Sequence, residues 1–497
     1  MSAPEFGKTG APVKSSRAAN DASRPVLRVA ELDSVATRGE LPELYHDSSF
    51  WGMFATQLFG AFNDNLFKQL VLLLSIAAVG ATGAAAGPAI LPVAMAGSLL
   101  FVSGVAGLGP LAVLVAMSWS ASSDHQGLAM FIFAAPFLAF TGYAGFLADK
   151  LPKRGIIIAC KIAEIGVMAL GAIAFAVYEM NGSLWPLYGV LFLMGTHSAF
   201  FGPAKYGILP EILRPSDLPG ANGLLLMSTF LAIIFGTVVA GVLLKSFGDR
   251  LWVASVSCMS IAVVGTISAL WVRRAAAANP TLKFELAALG VPHDMRQLLR
   301  EDRPLWIALL VSSVFWLLAG MVPASVNAFG KIELRLDDAW TSVLTGAIGI
   351  GIAIGCAIGG FVSRGDVDFR LVRIGSFGML ACLLLLALPA QLLGFRGSLP
   401  TMLALGAFTG MFAVPLQVFM QCRPPDDKKG RMIAVMNQAN WIGILISSGL
   451  YQLLAMLIER REWPRNTMFL FVALLTLPVA ALYHPKNEHL SHAAPAA

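Results

Sequence analysis

The chain has 497 residues, 57% of them hydrophobic and 13% charged, with a mean hydropathy of +0.72 and a formal net charge of +6 at pH 7. Such a composition excludes an ordinary soluble domain, in which about half of the residues are apolar and about a quarter charged. The positive charge does not imply nucleic acid as a partner, because Lys and Arg gather in short links between apolar runs and form no basic patch with interleaved aromatics. From Phe50 onward, apolar runs of 18 or more residues recur. Each is long enough to cross about 30 Å of hydrocarbon as a helix, and a helix satisfies its backbone groups within one segment. The expectation is an all-α polytopic membrane protein.

In chain order, residues 1–45 are polar and rich in Ala, Ser and Arg, and read as a disordered tail with no cleavable signal. Apolar windows then predict helices over 50–78, 128–148, 155–178, 184–204, 221–247, 251–272, 304–329, 340–362, 371–393, 399–421, 432–458 and 467–483. With the first tail in the cytoplasm, the basic links 150–154, 273–303, 364–373 and 423–431 all fall on the cytoplasmic side, as the positive-inside bias requires. The link 459–465 falls outside and is the exception. An apolar, Pro- and Gly-rich stretch, 80–127, is an insertion that crosses the membrane zero or two times, since one crossing would invert everything after it. The organisation is therefore a six-helix bundle over 46–272 carrying that insertion, a cytoplasmic central loop over 273–303, a second six-helix bundle over 304–484 and a cytoplasmic tail over 485–497. Five scattered cysteines read as buried thiols.

Charges inside the apolar runs carry the functional signal. Asp64 and Lys68 sit in the middle of the first predicted helix, where each charge costs roughly 2.5–3.5 kcal/mol unless it faces the bundle interior or water. Gln57, Asp64 and Lys68 recur at helical spacing with Gly60 between them. They form either a stripe along a substrate path or a self-neutralised i,i+4 pair. Lys161 and Glu164, three apart in the third helix, pose the same alternative. Lys205 lies in the helix-breaking run Gly202-Pro-Ala-Lys-Tyr-Gly-Ile-Leu-Pro-Glu211 at the end of the fourth helix. His197 reads as a hydrogen-bonded packing histidine, and Gln417, Gln421 and Gln438 as helix glue or cavity lining. No P-loop, metal-ligand cluster or nucleophile–base set is visible, so neither enzyme activity nor a cofactor is expected.

The run Gly145-Phe-Leu-Ala-Asp149-Lys150-Leu-Pro-Lys153-Arg154 resembles the Gly-x-Leu-Ala-Asp-Arg-x-Gly-Arg-Lys signature of major facilitator transporters, and two six-helix halves fit their parallel-repeat plan. The resemblance implies a gate in which Asp149 exchanges basic partners between states, with Gly359 to Arg364 as a remnant in the second half and Arg431 as a further gate contact. A narrower resemblance rests on Asp64-Asn65, the Pro203 to Glu211 run, Gly220-Ala-Asn222-Gly223, Val414-Pro-Leu-Gln417 and Gly430-Arg431-Met-Ile-Ala-x-x-Asn437-x-x-Asn440. These motifs are similar to those of bacterial lysophospholipid transporters and of the transporter half of bifunctional acylglycerophosphoethanolamine acyltransferases.

That resemblance implies movement of lysophospholipid from the outer to the inner leaflet of a bacterial inner membrane for reacylation. Asp64 and Lys205 then become the leading transport charges, joined by Asn65, Lys161, Glu164, Asn437 and Asn440, with Lys68 as the local counter-charge of Asp64. The insertion, the long first tail and the lack of a charge in 305–329 depart from the family pattern, and acylation would fall to a separate acyltransferase. Two other functions fit the residues: an exporter of small amphiphilic or cationic compounds, and a non-transporting membrane scaffold.

Overall fold

The computed structural model describes residues 42–76, 124–214, 217–277, 280–282, 293–362, 369–425 and 429–485. Six helices form the first half: α1 (Ser48–Leu74), α2 (Gln126–Lys150), α3 (Lys153–Asn181), α4 (Trp185–Ile212), α5 (Leu218–Phe247) and α6 (Trp252–Leu270). A short α7 (His293–Glu301) precedes the second six: α8 (Arg303–Ala328), α9 (Asp338–Val362), α10 (Phe369–Leu386), α11 (Ala390–Cys422), α12 (Lys429–Arg460) and α13 (Thr467–Leu482). Most of the first tail, the insertion from 80 to 123, the remnant at 363–364 and nearly all of the last tail lie outside the described residues, as does the side chain of Arg431.

Local chemistry sets the helix ends. Asp47 caps α1 by accepting from the backbone N–H groups of Ser49 (2.8 Å) and Phe50 (3.3 Å), and Asp302 caps α8 by accepting from Leu305 N–H at 3.0 Å. Gly182 ends α3 in the left-handed region at φ +70°. Three sequence boundaries need correction. Residues 42–45 belong to the fold rather than the tail, since Leu44–His46 form a 3₁₀ turn with Leu44 buried. The central loop contains α7, whose Met295 and Leu299 are buried. The ninth helix stops at Leu386 rather than 393, because Pro389 breaks the chain and the next helix starts at Ala390 and bends at Gly394 (φ +55°).

The two halves repeat one packing plan. In the first, α1 packs on α5 and α6, α2 on α4, and α3 on α4 and α6; in the second, α8 packs on α12 and α13, α9 on α11, and α10 on α11 and α13. The halves meet through α2 with α12 and α5 with α9, each the second helix of one half against the fifth of the other. Nine described helices are long and apolar enough to cross a membrane: α2, α3, α5, α6 and α8 to α12. Helices α1 and α4 fall short despite 27 and 28 residues, and they carry most of the polar groups of the site below.

Contacts between the halves concentrate at the end bearing Asp124. There Lys245 pairs with Asp337 at 2.7 Å, Lys331 donates to the Leu73 carbonyl at 3.1 Å and Gln69 donates to Asn327 at 2.9 Å. The Lys245 hydrogen bond, aided by Trp340 N–H, holds the Asp337 carboxyl below its usual range. That tie is complete at neutral pH and is lost only as pH falls through the lowered value. At the opposite, basic end the described ion pairs stay within one half: Asp47 with Arg273 (3.3 Å), Lys153 with Glu211, and Asp302 with Arg423 (2.6 Å). Helix α2 reflects the asymmetry: it is buried from Gln126 to Pro136 apart from Phe133, and mostly half-exposed from Phe137 to Lys150.

The end of α1 and the approach to α2 are pinned together. Ile76 and Asp124 form an antiparallel bridge, and His125 N–H donates to the Ser75 carbonyl at 2.9 Å, so α2 runs back antiparallel to α1.

At the α9–α11 seam, a Cβ on Gly355 would lie 2.0 Å from the Ala407 carbonyl oxygen, a backbone atom that no rotamer change can move. Gly355→Leu should therefore destabilise the second half by about 1–3 kcal/mol or more through overpacking. Thermal unfolding of purified protein would show a lower midpoint.

Candidate functional site

The site forms where α1, α3 and α4 bring their polar residues together. Glu164 on α3 is fully buried. Its two oxygens accept from Lys161 Nζ at 2.6 Å and from Asn63 Nδ2 at 2.7 Å. Lys161 can lie against α1 because Gly60 is there: a Cβ at that position would fall 2.1 Å from the lysine nitrogen. The Lys161 backbone carbonyl accepts from Thr266 of α6 at 3.2 Å, which ties the last wall of the cluster to the pair.

Asp64 lies beside this pair and is held from α4, where Ser198 donates to its Oδ2 at 2.7 Å. His197 Nδ1 lies 3.5 Å from the same serine hydroxyl. Three buried atoms of this cluster, Asn63 Oδ1, Asp64 Oδ1 and His197 Nε2, find no hydrogen-bond partner among the described residues. Two of these atoms are acceptors, and the imidazole nitrogen accepts or donates with its tautomer. The cluster thus retains capacity for a donor-rich cationic group.

Lys68 does not close an ion pair with Asp64. It donates to Asn65 Oδ1 at 2.9 Å and lies 5.2 Å from the centre of the Phe133 ring. Asn65 itself donates to the Ala61 carbonyl at 2.7 Å. Gln57, from the same predicted stripe, turns to Thr229 of α5 at 2.9 Å and serves as a helix tie.

Lys205 stands seven residues beyond Ser198 on α4, two turns or roughly 10 Å nearer the basic end on the same face. Its ammonium lies 5.8 Å from the Phe201 ring centre and 4.5 Å from that of Tyr206, and it makes no ion pair among the described residues. Lys161 approaches the same Phe201 ring at 4.9 Å. One aromatic ring therefore joins the half-buried cation near the basic end to the buried cluster, an arrangement that stabilises cations without neutralising them.

The remaining predicted residues lie elsewhere. Asn440 accepts from Ser312 at 3.0 Å, tying α12 to α8, and Asn437 is exposed. In the gate run, Asp149 is exposed and is not the partner of the basic residues. Lys153 pairs instead with Glu211 of α4, Arg154 donates to the Leu270 carbonyl at 2.9 Å, and Lys150 lies 5.3 Å from the Phe146 ring centre. A Cβ on Gly145 would meet nothing within 4 Å, so that glycine answers to no close approach in this conformation. Sequence reasoning passed over Asn63, Ser198 and Glu211. Asn63 adjoins Asp64, and Glu211 closes the Pro203 to Glu211 run, so both were within sight of the motifs; a lone serine gives no such signal.

The sequence model of the Major Facilitator Superfamily matches residues 94–448. The chain belongs to the Major Facilitator Superfamily. Among curated relatives, the lysophospholipid transporter LplT of Escherichia coli O1:K1 / APEC is 28% identical over 373 residues, covering 73% of this chain and 87% of its own. The LplT of Yersinia pestis (strain Pestoides F) is 27% identical over 67% of this chain and 78% of its own. Among solved structures, a POT family transporter in complex with a thioalcohol-conjugated peptide aligns with a TM-score of 0.60 at 12% identity, covering 86% of this chain and 95% of that one. A second POT family structure, with 5-aminolevulinic acid, gives a TM-score of 0.59 at 12% identity. At that identity the likeness shows the major facilitator fold alone.

The Lys161–Glu164 pair is 4% and 1% exposed, so removing one partner strands the other. Lys161→Met is expected to cost about 3–5 kcal/mol, whereas the double change Lys161→Met/Glu164→Leu should recover much of that loss. Unfolding midpoints of the two single variants and the double variant would test this.

Proposed function

We propose that this chain carries lysophospholipid across a bacterial inner membrane, from the outer to the inner leaflet, by alternating access. The observation that supports this reading most is the cluster around Asp64, because its charges fit a zwitterionic head group and its curated relatives are named lysophospholipid transporters. Lys205, a half-buried cation with no described counter-ion, suits the lipid phosphate. Asp64 Oδ1 and Asn63 Oδ1, two buried acceptors without partners, suit the ammonium of an ethanolamine head group. Ser198, which holds Asp64, and Lys205 follow one another along α4, which makes the two charges successive stations: Lys205 engages cargo near the basic end, and Asp64 engages it deeper.

A single acyl chain need not enter the polar cluster. On the α2–α12 side, Phe137 stacks on Trp441 at 3.7 Å, and Phe140, Tyr143 and Phe200 continue the aromatic lining toward the basic end. Tyr143 is 40% exposed. The chain can lie along this flank while the head group crosses. We place the basic end in the cytoplasm from the charge bias. The conformation described, with the halves tied at the Asp124 end, is then the inward-facing one. Reacylation falls to a separate acyltransferase.

Proteoliposomes carrying labelled lysophosphatidylethanolamine provide the test. Asp64→Asn and Lys205→Ala should each lower protein-dependent translocation at least tenfold while leaving the protein folded and monodisperse. Normal flux in both variants would refute the assignment of the site. Absence of flux in the unaltered protein, with export of an amphiphilic cation, would redirect the reading to an exporter.

A further inference from the structure

Six polar residues that belong to neither the head-group cluster nor the gate run are almost entirely buried at the Asp124 end: Gln69 and Gln126 of the first half, Asn327, Tyr451 and Gln452 of the second, and Asp124 itself, each 2% exposed or less. In an apolar bundle such groups persist when every one of them is bonded. Apart from Gln452 Oε1, which finds no partner among the described residues, they are bonded mainly to each other, and most of the bonds run from half to half. Gln69 of α1 donates to Asn327 of α8 at 2.9 Å, and Asn327 donates to Gln126 of α2 at 3.0 Å. Gln126 donates to the Ala324 carbonyl of α8 at 3.1 Å. Tyr451 of α12 donates to Asp124 Oδ2 at 2.7 Å, and Gln452 donates to the Asp124 backbone carbonyl at 2.6 Å. The remaining carboxylate oxygen, Oδ1, accepts from Gln126 N–H at 3.0 Å.

We propose that this relay is the latch of the Asp124 end. It holds the halves together while the basic end is apart, and it must be exchanged for water each time the Asp124 end opens. A buried carboxylate with a cross-half donor is suited to the task, because it is costly to leave dry and unpaired yet well solvated once water enters. The latch is therefore strong when complete and loses little when fully hydrated, which makes two discrete states rather than a graded opening. Its α1 member, Gln69, lies one helical turn beyond Asn65 and next to Lys68, so the relay borders the head-group site on the Asp124 side. It does not depend on what the cargo is.

Distance measurements between spin labels on the full chain in lipid nanodiscs, without cargo, test this directly. Labels at Met180→Cys and Leu392→Cys, both highly exposed near the Asp124 end of opposite halves, report opening there; labels at Tyr45→Cys and Ile374→Cys report the basic end. Native cysteines are replaced by alanine. Tyr451→Phe removes one hydroxyl from a fully buried ring and keeps its shape. It should raise the population with the longer Met180–Leu392 distance roughly ten- to a hundredfold, with a matching rise in the shorter Tyr45–Ile374 distance. Asp124→Asn should shift both distributions the same way by less, since its amide can still accept from Tyr451. Unchanged distributions in Tyr451→Phe would overturn the latch. So would a change at the Asp124 end without its counterpart at the basic end, which would indicate local loosening. A failure of lysophospholipid transport would leave this result intact.

Discussion

The first half is organised around one ion pair. Lys161 and Glu164 sit where hydrocarbon would otherwise surround them, and burying charge is tolerated only when every lone pair and proton is accounted for. That requirement reaches far along the chain. It needs a glycine at position 60 so that the lysine can lie on α1, Asn63 to satisfy the second carboxylate oxygen, and a ring, Phe201, to receive the ammonium face. Once those three are in place, α1, α3 and α4 have little freedom to slide or rotate relative to each other. Asp64, held by Ser198, is thereby presented with one oxygen still available.

Residues that hold the site differ from residues that can act in it. Glu164 has both oxygens bonded and Lys161 has its counter-ion, so their chemistry is spent on each other. Asp64 and Lys205 keep unspent capacity at two depths of the first half. A path for a charged head group needs such intermediate stations, because one site tight enough to strip its water would also be hard to leave.

Much of the architecture was legible in the sequence because lipid allows so few alternatives. Apolar windows located all twelve long helices, with most ends within a few residues. The errors have physical causes. Helix α7 is too short and too polar for an apolar window, and the α10–α11 turn is hidden because Leu388, Pro389, Leu392 and Leu393 keep the run apolar through a real chain break. At the site, Asp64, Lys161, Glu164 and Lys205 were conspicuous as charges against an apolar background. Their partners were not, since whether Lys68 turns to Asp64 or to Asn65, and whether Lys153 meets Asp149 or Glu211, depends on neighbours that adjacency in sequence does not specify. The membership of a family told which motifs to watch; only the packing told which of them touch.

The bridge between Ile76 and Asp124 has a consequence for how such a chain can change over time. Because Ile76 and Asp124 are pinned to each other, the end of α1 and the start of α2 keep their register independently of the sequence between them. Segments can be gained, lost or exchanged there without re-registering α1 against α2, so the position is a natural port for accessory elements. The same pinning sets a limit on that freedom, for Asp124 also belongs to the seam between the halves, and any graft that pulled on it would be felt by the transport cycle.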